Sequence, residues 1–199
     1  MRYSLYCLVP AGFLLSVGVV QAKPPSCDGT SVRIEGEINN NAINPVSFTP
    51  MGSVTLGVAR MKLFAGGDRE NLTCTLLGEP TGKDGVGEQT YDHIITCDDP
   101  AQSELSFKTT LTGWQEVGDT YFPDLLPSKT AEEFCRPFSQ NGLAIIAFTE
   151  EAVANENRLR KGIFSDATGS IDVAGCVNVV NGLYEINMEV EGKLCLTNW

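Results

Sequence analysis

His93 is the single histidine of the 199-residue chain, so any Ser-His-Asp or Cys-His mechanism would have to be built on it. Its surroundings argue otherwise. Tyr91, His93, Ile95 and Cys97 share one face of an alternating run, which places Asp92 on the opposite face, where it cannot orient the imidazole. We read His93 as a structural or partly exposed side chain, with a general-base or ligand-contact role as the alternative. Carboxylates are abundant, 25 Asp and Glu against 14 Lys and Arg, so a chosen pair carries little information. Glu35 with Glu37, and Glu189 with Glu191, fall on the polar rows of two strands, where solvation explains them without glycosidase chemistry. Asp98 and Asp99 follow Cys97 without the ligand spacing of a calcium loop and read as turn caps. Gly82-Lys83-Asp84 lacks the Ser or Thr and the glycine spacing of a phosphate loop. No catalytic residue, metal ligand or cofactor motif is therefore assigned.

The cysteines are more informative. Of seven, Cys7 lies in an apolar N-terminal stretch, and Cys27, Cys74, Cys97, Cys135, Cys176 and Cys195 remain. An even set in an exported chain predicts three disulfides, whose pairing composition alone leaves open. No C-x-x-C spacing suggests zinc instead. The pair Asn181-Gly182 is suited to a two-residue type I′ turn, which sets Val180 opposite Leu183, Cys176 opposite Asn187 and Thr168 opposite Cys195. Cys176 and Cys195 would then stand roughly 26 Å apart along the hairpin, too far to bond. Cys74 and Cys97 instead fit opposite strands of one hairpin, closed by a long loop from Gly78 to Glu88.

The N-terminus explains why the cysteines should oxidise. Arg2, the apolar run from Leu5 to Val20 and the small residues of Val20-Gln21-Ala22 form a secretory signal with cleavage after Ala22, shorter than the roughly 20 residues of a membrane span. The expected organisation is a signal peptide at residues 1–22 and one domain at 23–199, secreted or periplasmic, with no membrane span after cleavage. Removing Arg2 takes the net charge from -11 to -12. That charge, with a pI near 4.5, disfavours nucleic acid and polybasic membrane contacts.

The elements that would carry these residues are short strands. Val32, Ile34 and Ile38 alternate with Arg33, Glu35 and Glu37. Val54, Leu56 and Val58 read as an inward row that slips phase to Met61 and Leu63, as at a bulge. Leu72, Cys74 and Leu76 form a row, and Leu105, Phe107, Thr109 and Leu111 form another. After a buried-looking run from Leu143 to Phe148 come Ile171 and Val173, leading to Val177. Tyr184, Ile186, Met188 and Val190 complete the series. Such a succession predicts an all-β antiparallel barrel of about eight strands with one or two short helices. One helix is signalled by the capping-box spacing Thr130-Ala131-Glu132-Glu133 before Phe134, with Pro137 as its stop. A second, or a loop, is suggested by Glu150 and Glu151 followed by Arg158, Arg160 and Lys161.

Trp114, Tyr121 and Phe122 belong to an aromatic-rich segment, Trp114 to Leu126, that reads as a lid over a barrel mouth or a plug completing the core. They are the candidate ligand-binding residues.

The run Gly162-Ile163-Phe164-Ser165-Asp166-Ala167-Thr168-Gly169-Ser170, with the Asn181-Gly182 hairpin and Glu191-Gly192-Lys193-Leu194-Cys195, resembles bacterial secreted allene oxide cyclase-like and dirigent proteins. The resemblance covers about a fifth of the chain and implies a calycin-like barrel. It carries no cyclase catalytic position onto this sequence, so no activity follows from it. The expected function is a non-catalytic exported barrel that binds a small apolar ligand or a protein partner. The alternative is a cyclase or isomerase using interior Glu, Asn or Tyr side chains.

Overall fold

The computed structural model describes residues 27–43, 53–83, 85, 88–117, 130–139, 143–156, 158, 160–197 and 199. The expected signal segment, with Cys7, lies outside them, as do Tyr121 and Phe122.

Eight antiparallel strands follow one another round a closed barrel. They are β1 (Thr30–Ile43), β2 (Val54–Ala65), β3 (Asp68–Lys83), β4 (Gln89–Cys97), β5 (Glu104–Glu116), β6 (Leu143–Ala154), β7 (Thr168–Val180) and β8 (Leu183–Leu196). Each strand pairs with its sequence neighbours, and β8 closes onto β1, so no strand edge is left open. The Asn181-Gly182 turn has positive φ at both residues, 52° and 79°, and sets Val180 opposite Leu183, Cys176 opposite Asn187 and Thr168 opposite Cys195, the expected register.

Three disulfides tie this frame. Cys74 and Cys97 face each other directly across β3 and β4, 3.8 Å between Cα atoms, as the hairpin spacing predicted. Cys27 bonds Cys195 and thereby locks the β1/β8 seam, where Ser31 sits opposite Cys195. Cys135 bonds Cys176 and fixes a short helix, α1 (Ala131–Cys135), to the outer face of β7, where Ala131, Cys135, Ala147 and Cys176 form a small buried cluster. The expected capping box is present: Thr130 Oγ1 accepts from the Glu133 N–H and the Glu133 carboxylate accepts from the Thr130 N–H. Asn178 and Asn187 both donate to the Phe138 carbonyl and hold the following 3-10 turn against the barrel wall.

Several sequence expectations are corrected. Glu150 and Glu151 do not begin a helix; β6 runs through them to Ala154, because alternation continues past Phe148 with Glu150, Ala152 and Ala154 in the inward row. The Gly78 to Glu88 stretch is mostly strand, since β3 extends to Lys83 and β4 begins at Gln89. Trp114 lies within β5, not in a loop. In β2 there is no phase slip: pairing to β1 and β3 is unbroken from Val54 to Phe64 and from Thr55 to Ala65. Val54, Leu56 and Val58 point outward, 37%, 49% and 37% exposed, while Thr55, Gly57 and Ala59 continue the inward row of Met61 and Leu63.

The two ends of the barrel differ. One carries the β2/β3, β4/β5 and β6/β7 connections and is packed shut: Val32, Ile34, Leu63, Leu105 and Leu196 are wholly buried around Phe164, itself 0% exposed. Phe164 is delivered by a 3-10 turn, Gly162–Phe164. Gly162 has φ +65° and lies so close to Ser103 that a Cβ would stand 2.1 Å from Ser103 Oγ. That hydroxyl accepts from the Ile163 N–H and donates to Asp99, so the Asp98-Asp99 turn, which Asp99 caps as expected, also positions the plug. The opposite end, which we call the mouth, carries the Asn181-Gly182 turn. Three strands bulge near it by one residue each, at Thr81, Thr112 and Ile145, and such bulges bend strands at barrel rims.

Candidate ligand-binding cavity

Towards the mouth the interior is not filled. β2 and β3 turn Thr55, Gly57 and Gly78 inward, and the volume that large aliphatic side chains occupy at the packed end is left to a cavity of about 50 Å3. Its walls are mainly apolar, with Leu111, Ile146, Phe148, Val177 and Ile186 among them. A second, smaller space of about 20 Å3 lies deeper, lined by Ile95, Phe107 and Val173 among others. His93, Glu150 and Met188 border both.

Into this apolar space project four polar groups. Glu150 on β6 is flanked in register by Leu111 on β5 and Val173 on β7, so neither neighbour offers it a partner. Among the described residues nothing forms a hydrogen bond or ion pair with its carboxyl. Burial raises its pKa from 4.5 to about 7, since a charged carboxylate loses its hydration there.

His93 on β4 is held from two sides. Its Nδ1 is 2.8 Å from Thr109 Oγ1, and its ring stacks on Tyr91 with centroids 5.8 Å apart. Burial lowers its pKa to about 4, the adjacent Asp92 working in the opposite direction. Asp92 faces outward and pairs with Arg158, as the strand alternation required. The imidazole is thus neutral at pH 7 and half-buried in the cavity wall.

Two glycines make room for the remaining polar atoms. A Cβ on Gly78 would stand 2.4 Å from Thr55 Oγ1 and 2.7 Å from His93 Nε2, so both atoms occupy the space that a side chain there would take. A Cβ on Gly57 would likewise meet the Asn40 side-chain oxygen, which rests against the bare backbone. Asn40 Oδ1 and Thr55 Oγ1 are buried without a hydrogen-bond partner. An unsatisfied buried oxygen costs about 1 to 3 kcal/mol, which a bound molecule or water would recover.

Of the candidate binding residues, Trp114 sits opposite Phe148 across the β5/β6 pair. Phe148 lines the cavity, and Trp114 is 45% exposed at the mouth. Tyr121 and Phe122 fall outside the described residues. Asn40, Thr55 and Glu150 were missed by sequence reasoning; an inward-row assignment of β2 and a strand through Glu150 were the signals that would have found them. Among the described residues no group of three or more His, Cys, Asp or Glu is placed to hold a metal ion, and no helix is long and apolar enough to cross a membrane.

Comparison with protein-family models, curated proteins and solved structures returns no match.

Proposed function

We propose that this protein is an exported, non-catalytic barrel that holds a small, largely apolar ligand in the mouth half of its interior. The observation that carries this reading is the contrast between the two halves. One is closed around Phe164, while the other combines apolar walls with two buried oxygens that lack partners, Asn40 Oδ1 and Thr55 Oγ1. A few convergent polar groups within an apolar wall are the usual make-up of a small-molecule site. Export agrees with the disulfide-linked barrel, because such bonds persist in oxidising compartments. The cavity volume, about 50 Å3, exceeds the ~10–15 Å3 that one water needs. It accommodates one end of a ligand whose remainder runs out past Trp114.

The test is native mass spectrometry of the oxidised chain for a retained small molecule, together with titration by the neutral polarity-sensitive dye Nile red. Saturable uptake that is lost in Val177→Phe and in Thr55→Leu, both of which fill the cavity, with melting temperatures showing that at least one stays folded, is the expected result. Equal uptake by wild type and a folded filled variant would put the apolar site on the outer surface and remove the proposal.

A further inference from the structure

We infer that the ligand carries an organic ammonium group, a primary amine on a short apolar body, and that Glu150 is its counter-ion. This rests on the cavity reading above and names the chemistry of its occupant.

The argument is one of complementarity. At the cavity Asn40 Oδ1, an acceptor, and Thr55 Oγ1, a hydroxyl that can accept, are buried without a partner, and His93 Nε2 stands beside Thr55 Oγ1 over Gly78. Glu150 adds a carboxyl without a partner, and no Lys or Arg is among the lining residues. A surplus of acceptors with no cation calls for a donor-rich, positively charged guest, and an ammonium brings three N–H donors and no acceptor. A carboxylate guest would meet a buried acid and find no basic partner. An alcohol would satisfy one acceptor and leave the carboxyl without a counter-charge. Phe148 and Tyr91 supply aromatic wall beside the charge. The whole chain favours the same sign, since its net charge of -11 draws cations and repels anions.

The charge state of Glu150 enters directly. β5 and β7 flank it with Leu111 and Val173, and the titratable groups sharing its cavity are His93 and Tyr91 on β4; β1, β2 and β8 contribute none among the lining residues. His93 stays neutral above about pH 4 and Glu150 ionises near 7, so an ammonium guest binds more tightly as pH rises from 5.5 to 8, where the amine itself remains protonated.

The experiment compares hexylammonium, hexanol and hexanoate with the full oxidised chain, by calorimetric titration at pH 5.5 and 8, in wild type and Glu150→Gln. The expected result at pH 8 is at least tenfold tighter binding of hexylammonium than of the other two, weakening at pH 5.5. In Glu150→Gln that preference disappears while hexanol binding persists. Hexanol or hexanoate binding as tightly as the amine, or an amine preference that survives Glu150→Gln, would overturn the inference and leave the cavity reading standing. Failure of all three to bind while Nile red binds saturably would also overturn the inference alone. Failure of all four would overturn both.

Discussion

Thr55 Oγ1 and His93 Nε2 converge on the same missing Cβ, that of Gly78, which brings a hydroxyl from β2 and an imidazole from β4 within about 5 Å of each other across β3. The strand between them has no side chain at this position, so it serves as a floor for its neighbours' polar atoms. Gly78→Ala places a methyl into both. The imidazole cannot withdraw freely, being bonded to Thr109 and stacked on Tyr91. The variant should lose about 1 to 3 kcal/mol of stability, and Thr55→Ala in the same chain should restore part of it. Urea unfolding of the three proteins checks this; an unchanged Gly78→Ala midpoint would contradict the packing described.

Glu150 and His93 predict opposing pH effects. A carboxyl whose folded pKa is raised to about 7 stabilises the fold fully below its usual 4.5, and that contribution is lost as pH climbs through 7. An imidazole lowered to about 4 stabilises fully above its usual 6.5, and that contribution is lost as pH falls towards 4. Each amounts to about 3 kcal/mol, and between about 4.5 and 6.5 they oppose each other. Relative to wild type, Glu150→Gln should therefore gain stability steadily from pH 4.5 to 7. His93→Gln should gain, relative to wild type, as pH falls from 6.5 to 4. Unfolding free energies at four pH values separate the two slopes, and parallel curves for all three proteins would refute both assignments.

The β1/β8 seam joins the first and last strands of the barrel, and Cys27 and Cys195 bond beside it. Their sequence separation of 168, against 23 and 41 for the other two bonds, gives the largest entropic effect on the unfolded chain, up to about 5 kcal/mol against about 3 to 4. Replacing both cysteines by Ala should lower the melting temperature more than removing Cys74 and Cys97, whose strands remain paired by the ladder. Hydrogen exchange should accelerate first in β1 and β8. Uniform acceleration around the barrel would show that the bond does not act on the seam.

What was legible in the sequence was wherever polarity and position agreed. β8 alternates cleanly between Tyr184, Ile186, Met188, Val190 and their polar neighbours Glu185, Asn187, Glu189 and Glu191, and the structure keeps that pattern. Asn181-Gly182 fixed a register because its backbone requirement is local. β2 misled because its large apolar residues, Val54, Leu56 and Val58, lie outside, and its inward residues near the mouth are small or polar. Glu150 misled in another way: with Glu151 it reads as the acidic start of a helix or as loop, whereas the strand runs on and its place in the β6 row puts it inside. The residues that open the cavity are those that break the hydrophobic rule on which the strand reading depends, so the barrel could be read in advance and its cavity could not.

Trp114 and Phe148 form a cross-strand pair that distinguishes the rim of the mouth from its wall. Phe148 is 6% exposed and Trp114 is 45% exposed, so the two truncations should act on different quantities. Phe148→Ala empties a packed position and should cost about 3 to 5 kcal/mol, which for a domain of this size is a fall of roughly 10 °C in melting temperature. Trp114→Ala gives up surface that is already half in water, and its melting temperature should move by no more than about 3 °C. If the ligand's outer part leaves the cavity past this side chain, Nile red should nevertheless bind Trp114→Ala at least threefold more weakly, because the indole supplies apolar area at the exit with little rotamer entropy to lose. The rival account is that Trp114 merely seals the barrel end. It predicts the reverse order of effects: a clear loss of melting temperature with dye affinity unchanged in the protein that remains folded. Parallel thermal melts and dye titrations of the two variants decide between them, and an unaltered dye affinity for Trp114→Ala would remove Trp114 from the site.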